Sequence, residues 1–196
     1  VLFHDMDGDG KLDIVTVRSG FKVLPNQTVY PPFSELIYYK NPGDNIDPDE
    51  EWDERILYGG PLVGYMGPDI YLSMFDFDGD GVPEIVATHF FTGDTSQPPT
   101  KGKIVMYGAQ FKGSWSQVDG TNPDAQPRVK LLSENQGFPF SVEIVDLDGN
   151  GKMEILATNH QPNCMPYPIS PAGQVYALEQ PAKGDVFEGE WTVRVL

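Results

Sequence analysis

The 196-residue chain carries a formal charge of −16, 21 glycines, 18 prolines and 12% aromatic residues. That composition favours short strands joined by many turns, in one domain large enough for a sizeable core. It excludes a nucleic-acid partner, since no basic stripe exists to neutralise phosphates, and no apolar run of about 18 residues is present to span a membrane.

The chain opens on a strand-like stretch, Val1-Leu2-Phe3, so the natural N-terminus is expected upstream. An acidic segment follows, Asp5-Met6-Asp7-Gly8-Asp9-Gly10-Lys11-Leu12-Asp13, and then a β-branched run, Ile14–Val17. A long connection is predicted at about Arg18–Ser34, a third strand at Leu36–Tyr39, and a fourth within Trp52-x-x-Arg55-x-Leu57.

The same order returns twice. Asp76-Phe77-Asp78-Gly79-Asp80-Gly81-Val82-Pro83-Glu84 starts 71 residues after Asp5, and Asp146-Leu147-Asp148-Gly149-Asn150-Gly151-Lys152-Met153-Glu154 starts 70 residues after Asp76. Strands are predicted before these loops at Ile70–Phe75 and Phe140–Val145, and after them at Ile85–Thr88 and Ile155–Thr158. Third strands fall at Ile104–Tyr107 and Val175–Leu178. Trp191-x-x-Arg194-x-Leu196 repeats the fourth-strand pattern of the first unit, whereas the middle unit has Pro127 in place of the tryptophan.

A repeat of four short antiparallel strands predicts an all-β chain of three β-propeller blades: 1–62, 63–133 and 134–196, with loops 5–13, 76–84 and 146–154. Propellers close with about four to eight blades, so three imply a segment of a larger propeller or closure by association.

The loops point to a metal. A hard cation such as calcium takes six to eight oxygens. Acidic residues at loop positions 1, 3 and 5 aim oxygens inward, position 7 offers its backbone carbonyl, and position 9 supplies the last carboxylate. Glycine at positions 4 and 6 suits the dihedrals of so tight a wrap. Plain Asp-Gly turns need no crowd of inward carboxylates, and an EF-hand needs a Glu at position 12, where Thr16, Ala87 and Ala157 stand here. Asn150 donates a neutral oxygen, so the third site is expected to be the weakest.

The pattern D-x-D-G-[DN]-G-x-x-[DE] followed by an aliphatic strand resembles the FG-GAP or VCBS repeat family, whose calcium-loop propeller blades occur in integrin alpha chains and many secreted proteins. The resemblance implies up to three calcium (or magnesium) ions, held by Asp5, Asp7, Asp9 and Asp13; by Asp76, Asp78, Asp80 and Glu84; and by Asp146, Asp148, Asn150 and Glu154. It also implies an extracellular setting and a binding or scaffolding role toward a carbohydrate or protein. The FG and GAP signatures of integrin blades are not evident. One enzymatic relative, a fungal aldos-2-ulose dehydratase, carries such a propeller, which keeps a carbohydrate lyase or dehydratase as one alternative; a self-assembling interaction module is the other.

The turns between second and third strands must lie on the rim opposite the metal loops. They are long and proline-rich, at about Arg18–Ser34, His89–Gly102 and Asn159–Gly173. Arg18, His89 and Asn159 fall at equivalent positions there, with His160 next, as candidates to face a ligand; the plainer expectation is strand-end residues that hydrogen-bond loop backbone. Tyr65, Tyr71, Tyr167 and Trp115 are candidates for stacking on sugars. The lone cysteine, Cys164, allows no intrachain disulfide and is expected to be a bystander. Partners expected on these grounds are calcium, a carbohydrate or protein ligand, and either the rest of a propeller or a second copy of the chain.

Overall fold

The computed structural model describes residues 1–23, 29–43, 47, 49, 51–64, 66–92, 101–110, 114–160 and 173–196, without the side chains of residues 21–23 and 29–32. Tyr65, Tyr167, Cys164 and most of the second and third long turns lie outside the described residues. Within them the chain is all-β, with three short 3-10 turns and three four-stranded antiparallel sheets. Among the described residues no helix is long and apolar enough to cross a membrane.

The first sheet holds β1 (Leu2–His4), β2 (Asp13–Val23), β3 (Val29–Tyr39) and β4 (Glu54–Tyr58), in that order. The second holds β5 (Leu72–Phe75), β6 (Glu84–His89), β7 (Lys103–Gly108) and β8 (Arg128–Ser133). The third holds β9 (Phe138–Val145), β10 (Glu154–His160), β11 (Val175–Glu179) and β12 (Thr192–Val195). Each is a meander of neighbouring strands, the form of a propeller blade.

Alternation of side chains across each pleat builds two inter-blade cores. Ile85, Ala87, Val105 and Tyr107 of the middle blade join Val15, Leu36 and Leu57 of the first. Val86, Ile104, Met106 and Leu132 face the other way, toward Val142, Ile155 and Tyr176 of the third. Strand β6 is therefore buried along its whole length. Removing one such aliphatic side chain from water stabilises the fold by about 1.5–3 kcal/mol.

Polar contacts fix the blades' rotation. Gly120 N–H donates to the Ile56 carbonyl at 2.7 Å, between blades one and two. Tyr71 Oη donates to Glu143 Oε1 at 2.7 Å, between blades two and three. Arg128 pairs with Asp185 at 2.8 Å while its guanidinium lies 3.9 Å above the Phe187 ring.

The expected loop at Arg18–Ser34 is corrected by the structure. Most of it is ladder, with Arg18 opposite Glu35, Gly20 opposite Phe33 and Phe21 opposite Pro32. The prolines mislead because β4 pairs only with Leu36–Tyr39, and among the described residues no strand pairs with β3 on that side at Pro31 and Pro32. Trp115 is also corrected: it is buried in the first inter-blade core, and its Nε1–H donates to the Pro83 carbonyl at 2.9 Å, which leaves no face for a sugar.

Candidate metal centres and the opposite rim

Each acidic loop is pinned at both ends by a strand pair. His4 faces Asp13, Phe75 faces Glu84 and Val145 faces Glu154, so position 9 always lies across from the residue just before position 1. Between those points the chain turns on glycines at positions 4 and 6, all at positive φ: 79° and 86°, 74° and 89°, 73° and 85°. A Cβ at any of the six would meet nothing within 4 Å, so the left-handed backbone, and not lack of room, asks for glycine.

The position-1 carboxylate organises the turn. Asp5 accepts the amides of Gly8 at 2.8 Å, Asp9 at 3.0 Å and Gly10 at 2.8 Å, and Asp76 accepts those of Gly79, Asp80 and Gly81 at 2.8–3.1 Å. Asp146 accepts Asn150 and Gly151, each at 3.0 Å. Position 5 accepts the amide of position 7: Asp9 from Lys11, Asp80 from Val82 and Asn150 from Lys152. Asn150 thus places its side-chain oxygen as the aspartates do.

Three carboxylate oxygens converge in each loop. Positions 1, 3 and 9 bring one oxygen apiece within 4.8 Å of one another in Asp5, Asp7 and Asp13, in Asp76, Asp78 and Glu84, and in Asp146, Asp148 and Glu154. Asp9 and Asp80 complete their turns but stand outside these triads, and Asn150 completes the third turn. Burial, reinforced by the charges of Asp78, Asp76 and Asp80, pushes the Glu84 carboxyl up to about 7. A group of hard oxygens that repel one another while ionised fits a divalent cation, which would relieve that repulsion. Each of the three loops can hold a metal ion.

The loops differ in their basic neighbours. The Lys40 ammonium reaches Asp7 and lies 3.4 Å from Asp9 Oδ2, and this contact holds the Asp7 carboxyl below its usual range. In the second loop Arg128 stands 4.0 Å from Asp78. Lys40 follows β3 directly and carries no signal in the loop pattern, so reading the loops alone misses it.

These repeats have a match. Residues 76–157, from position 1 of the second loop into β10, match the family model described as FG-GAP-like repeat. That stretch is similar to FG-GAP-like repeats. Within that FG-GAP-like stretch lie both the second and third loops, and the first loop repeats their hydrogen bonds and glycine dihedrals. No curated protein and no solved structure matches the chain significantly.

On the opposite rim, the candidate residues are committed to their own blades. Arg18 bonds Glu35 through Nε and Nη2 at 2.9 and 2.7 Å, and Glu54 through Nη1 at 2.9 Å. Asn159 donates to the Gln136 carbonyl and accepts from the Gln174 amide. His89 is interior, with Nδ1 3.0 Å from Thr92 Oγ1 and Nε2 2.6 Å from Tyr107 Oη. Thr92 Oγ1 donates to the Gly67 carbonyl at 2.6 Å, so His89 carries its proton on Nδ1 and accepts from Tyr107. Burial pushes this imidazole down to about 3. His160 is exposed, as is Arg18, and the His160 ring is stacked on Phe90 at 6.2 Å. Arg18, His89 and Asn159 each bond partners of their own blade, whereas His160 stacks on Phe90 of the second blade.

A buried acid that sequence reasoning missed sits beside them. Asp69, in the link between blades one and two, accepts the amides of Phe90, Phe91 and Thr92 at 2.6–2.9 Å. Burial pushes its carboxyl up to about 6 despite those three bonds. It lies outside every repeated pattern.

Proposed function

We propose that the chain is a calcium-stabilised propeller segment that serves ligand binding or scaffolding in an extracellular setting. The observation that carries this reading is the convergence of three carboxylates at the same three positions in each loop, beside two glycines of positive φ. A calcium ion wants oxygen ligands at about 2.3–2.6 Å in flexible geometry, and the loops offer carboxylates plus the carbonyl of position 7. Each ion would clasp a first strand to its second, so cation binding becomes folding energy. Asn150 removes one charge from the third loop, which makes that site the weakest of the three.

Melting the protein in excess calcium and again in chelator tests the reading. A rise in Tm with calcium that magnesium reproduces poorly supports it, and identical curves in all three conditions remove it. The ligand class, carbohydrate or protein, is open to glycan and protein-array binding by the intact chain.

A second reading, an enzyme acting on carbohydrate, has one observation in its favour. A cavity of about 520 Å³ between blades one and two is lined by His89, Tyr107, Tyr58 and Lys103. Both histidine nitrogens are already bonded, so His89 would act only through Tyr107. A lyase or dehydratase activity that survives replacement of both His89 and His160 by alanine removes this site.

A further inference from the structure

The first loop differs from the other two in what stands against it. In each loop the position-3 carboxylate accepts the position-5 amide on Oδ1, at 3.1–3.2 Å, which leaves Oδ2 for a cation. In the first loop that oxygen belongs to Asp7, and the Lys40 ammonium is bonded to it, with Asp9 Oδ2 3.4 Å from the same nitrogen. In the second loop Arg128 is 4.0 Å from Asp78 Oδ2 and pairs with Asp185 at 2.8 Å instead. Among the described residues no ion pair reaches the third loop.

The backbone holds Lys40 in that position. Its N–H donates to the Asp53 carbonyl at 2.9 Å. The next residue is tied to the loop itself: Asn41 N–H donates to Asp13 Oδ1 at 2.8 Å, and Asn41 Nδ2 donates to the Leu12 carbonyl at 2.9 Å. Residues 40 and 41 thus engage positions 3, 5, 8 and 9 of the loop. Strand register sets Tyr39 opposite Ile14, Tyr107 opposite Ile85 and Leu178 opposite Ile155, so Gly108 and Glu179 are the counterparts of Lys40. Gln180 repeats the side-chain contact of Asn41, donating to the Met153 carbonyl at 2.7 Å, but the ammonium has no counterpart. Asp13 differs as well. It accepts Met6 N–H on Oδ2 and Asn41 N–H on Oδ1, whereas Glu84 and Glu154 each accept one amide, on Oε2.

We propose that Lys40 is a built-in cation for the first loop: its ammonium holds the turn closed in place of a divalent ion, and calcium enters that loop only by displacing it. This rests on the reading of the loops as calcium sites and adds an order of filling to it. Four carboxylates and one ammonium leave the first loop three net negative charges, the number that Asn150 leaves the third, while the second keeps four with its arginine turned to Asp185. A fixed positive charge a few ångströms from an incoming cation repels it, and at such short range salt screens little of that repulsion. The second loop should therefore fill first. The first blade keeps its β1–β2 clasp in low calcium, whereas the other two blades depend on the ion for theirs.

Calorimetric titration of the intact chain with calcium tests it, in the wild type, Lys40→Met and Lys40→Gln. Each substitution should tighten one site about tenfold and leave the others as they were. Adding Asp7→Asn to Lys40→Met should abolish the gain. Lys183→Met, which removes the same charge from an exposed segment after β11, should not produce it. In chelator Lys40→Met should melt below the wild type, and saturating calcium should close the gap. Calcium binding that both Lys40 substitutions leave unchanged, a gain that Lys183→Met reproduces, or one that Asp7→Asn spares would each overturn the inference while leaving the calcium reading standing. No calcium binding by any of these proteins would remove both.

Discussion

Glu84 reaches back across its loop and accepts the amide of Phe77 at 2.8 Å. The same bond joins Asp13 to Met6 at 2.9 Å and Glu154 to Leu147 at 2.8 Å. The position-9 acid thus has two tasks: one oxygen closes the turn, and the carboxylate as a whole adds charge to a crowded triad. Phe77 in turn lies under Trp191, so the loop's closure also sets the side chain that joins two blades.

Replacing Glu84 by Gln separates the two tasks. The amide oxygen can keep the Phe77 bond while a buried charge next to Asp76 and Asp78 is lost. In chelator the variant is expected to be at least as stable as the wild type, and in calcium less stable by about 1–3 kcal/mol, since a buried site loses a charged ligand. Urea unfolding of both proteins in the two buffers checks the crossing.

Asp69 and His89 pull stability in opposite directions with pH. The folded-state pKa of Asp69 is raised from 3.8 to about 6, so the folded state holds the extra proton and stability falls as pH rises through that window. The pKa of His89 is lowered from 6.5 to about 3, so the unfolded state holds the extra proton and stability rises with pH between those values. Between pH 4 and 6 the two slopes, each about 1.4 kcal/mol per pH unit for one proton, nearly cancel. In a Glu84→Gln background, which removes a third shifted group whose folded pKa is raised from 4.5 to about 7, Asp69→Asn should therefore expose a loss of stability on acidification, and His89→Gln a gain, in melting curves taken across that range.

Trp115→Phe deletes the indole N–H that satisfies the Pro83 carbonyl in the first inter-blade core. A buried carbonyl left without its donor costs about 1–3 kcal/mol, and the smaller ring leaves a gap beside it. Chemical denaturation should show the loss with an unchanged m-value.

Gly59→Ala should be more damaging than any substitution of a loop glycine. Gly59 has φ 94°, and a Cβ there would sit 2.4 Å from the Ser34 carbonyl oxygen and 2.7 Å from Gly67 Cα. Left-handed strain and backbone overlap together cost about 2–4 kcal/mol. The same change at Gly79, where φ is 74° and the space is open, should cost only the strain, about 1–2 kcal/mol. Comparing the two melting temperatures in chelator checks the order.

The acidic loops were legible as tight turns between first and second strands because their constraints are local. Carboxylates at fixed spacing, glycines where φ must be positive, and a β-branched run after each loop act within about a dozen residues, and the strands follow from side chains alternating with the pleat. The extension of β2 and β3 was not legible, since Pro31 and Pro32 look like loop until one knows that β4 stops pairing at Leu36 and that no other described strand lies beyond them.

Sequence alone determined the three repeats and the order of strands in each sheet, whereas the structure shows that carboxylates at positions 1, 3 and 9 converge in each loop. Tertiary structure decided what each repeat unit does with the same letters. It placed Lys40 against the first loop, sent His89 into the interior, made Trp115 a core residue, and buried Phe77 while leaving Leu147 open. Burial depends on the neighbouring blade, and side chains a full repeat apart meet only when two sheets pack. A local pattern carries the dihedrals of a loop; the packing of one blade on the next exists only in the assembled fold.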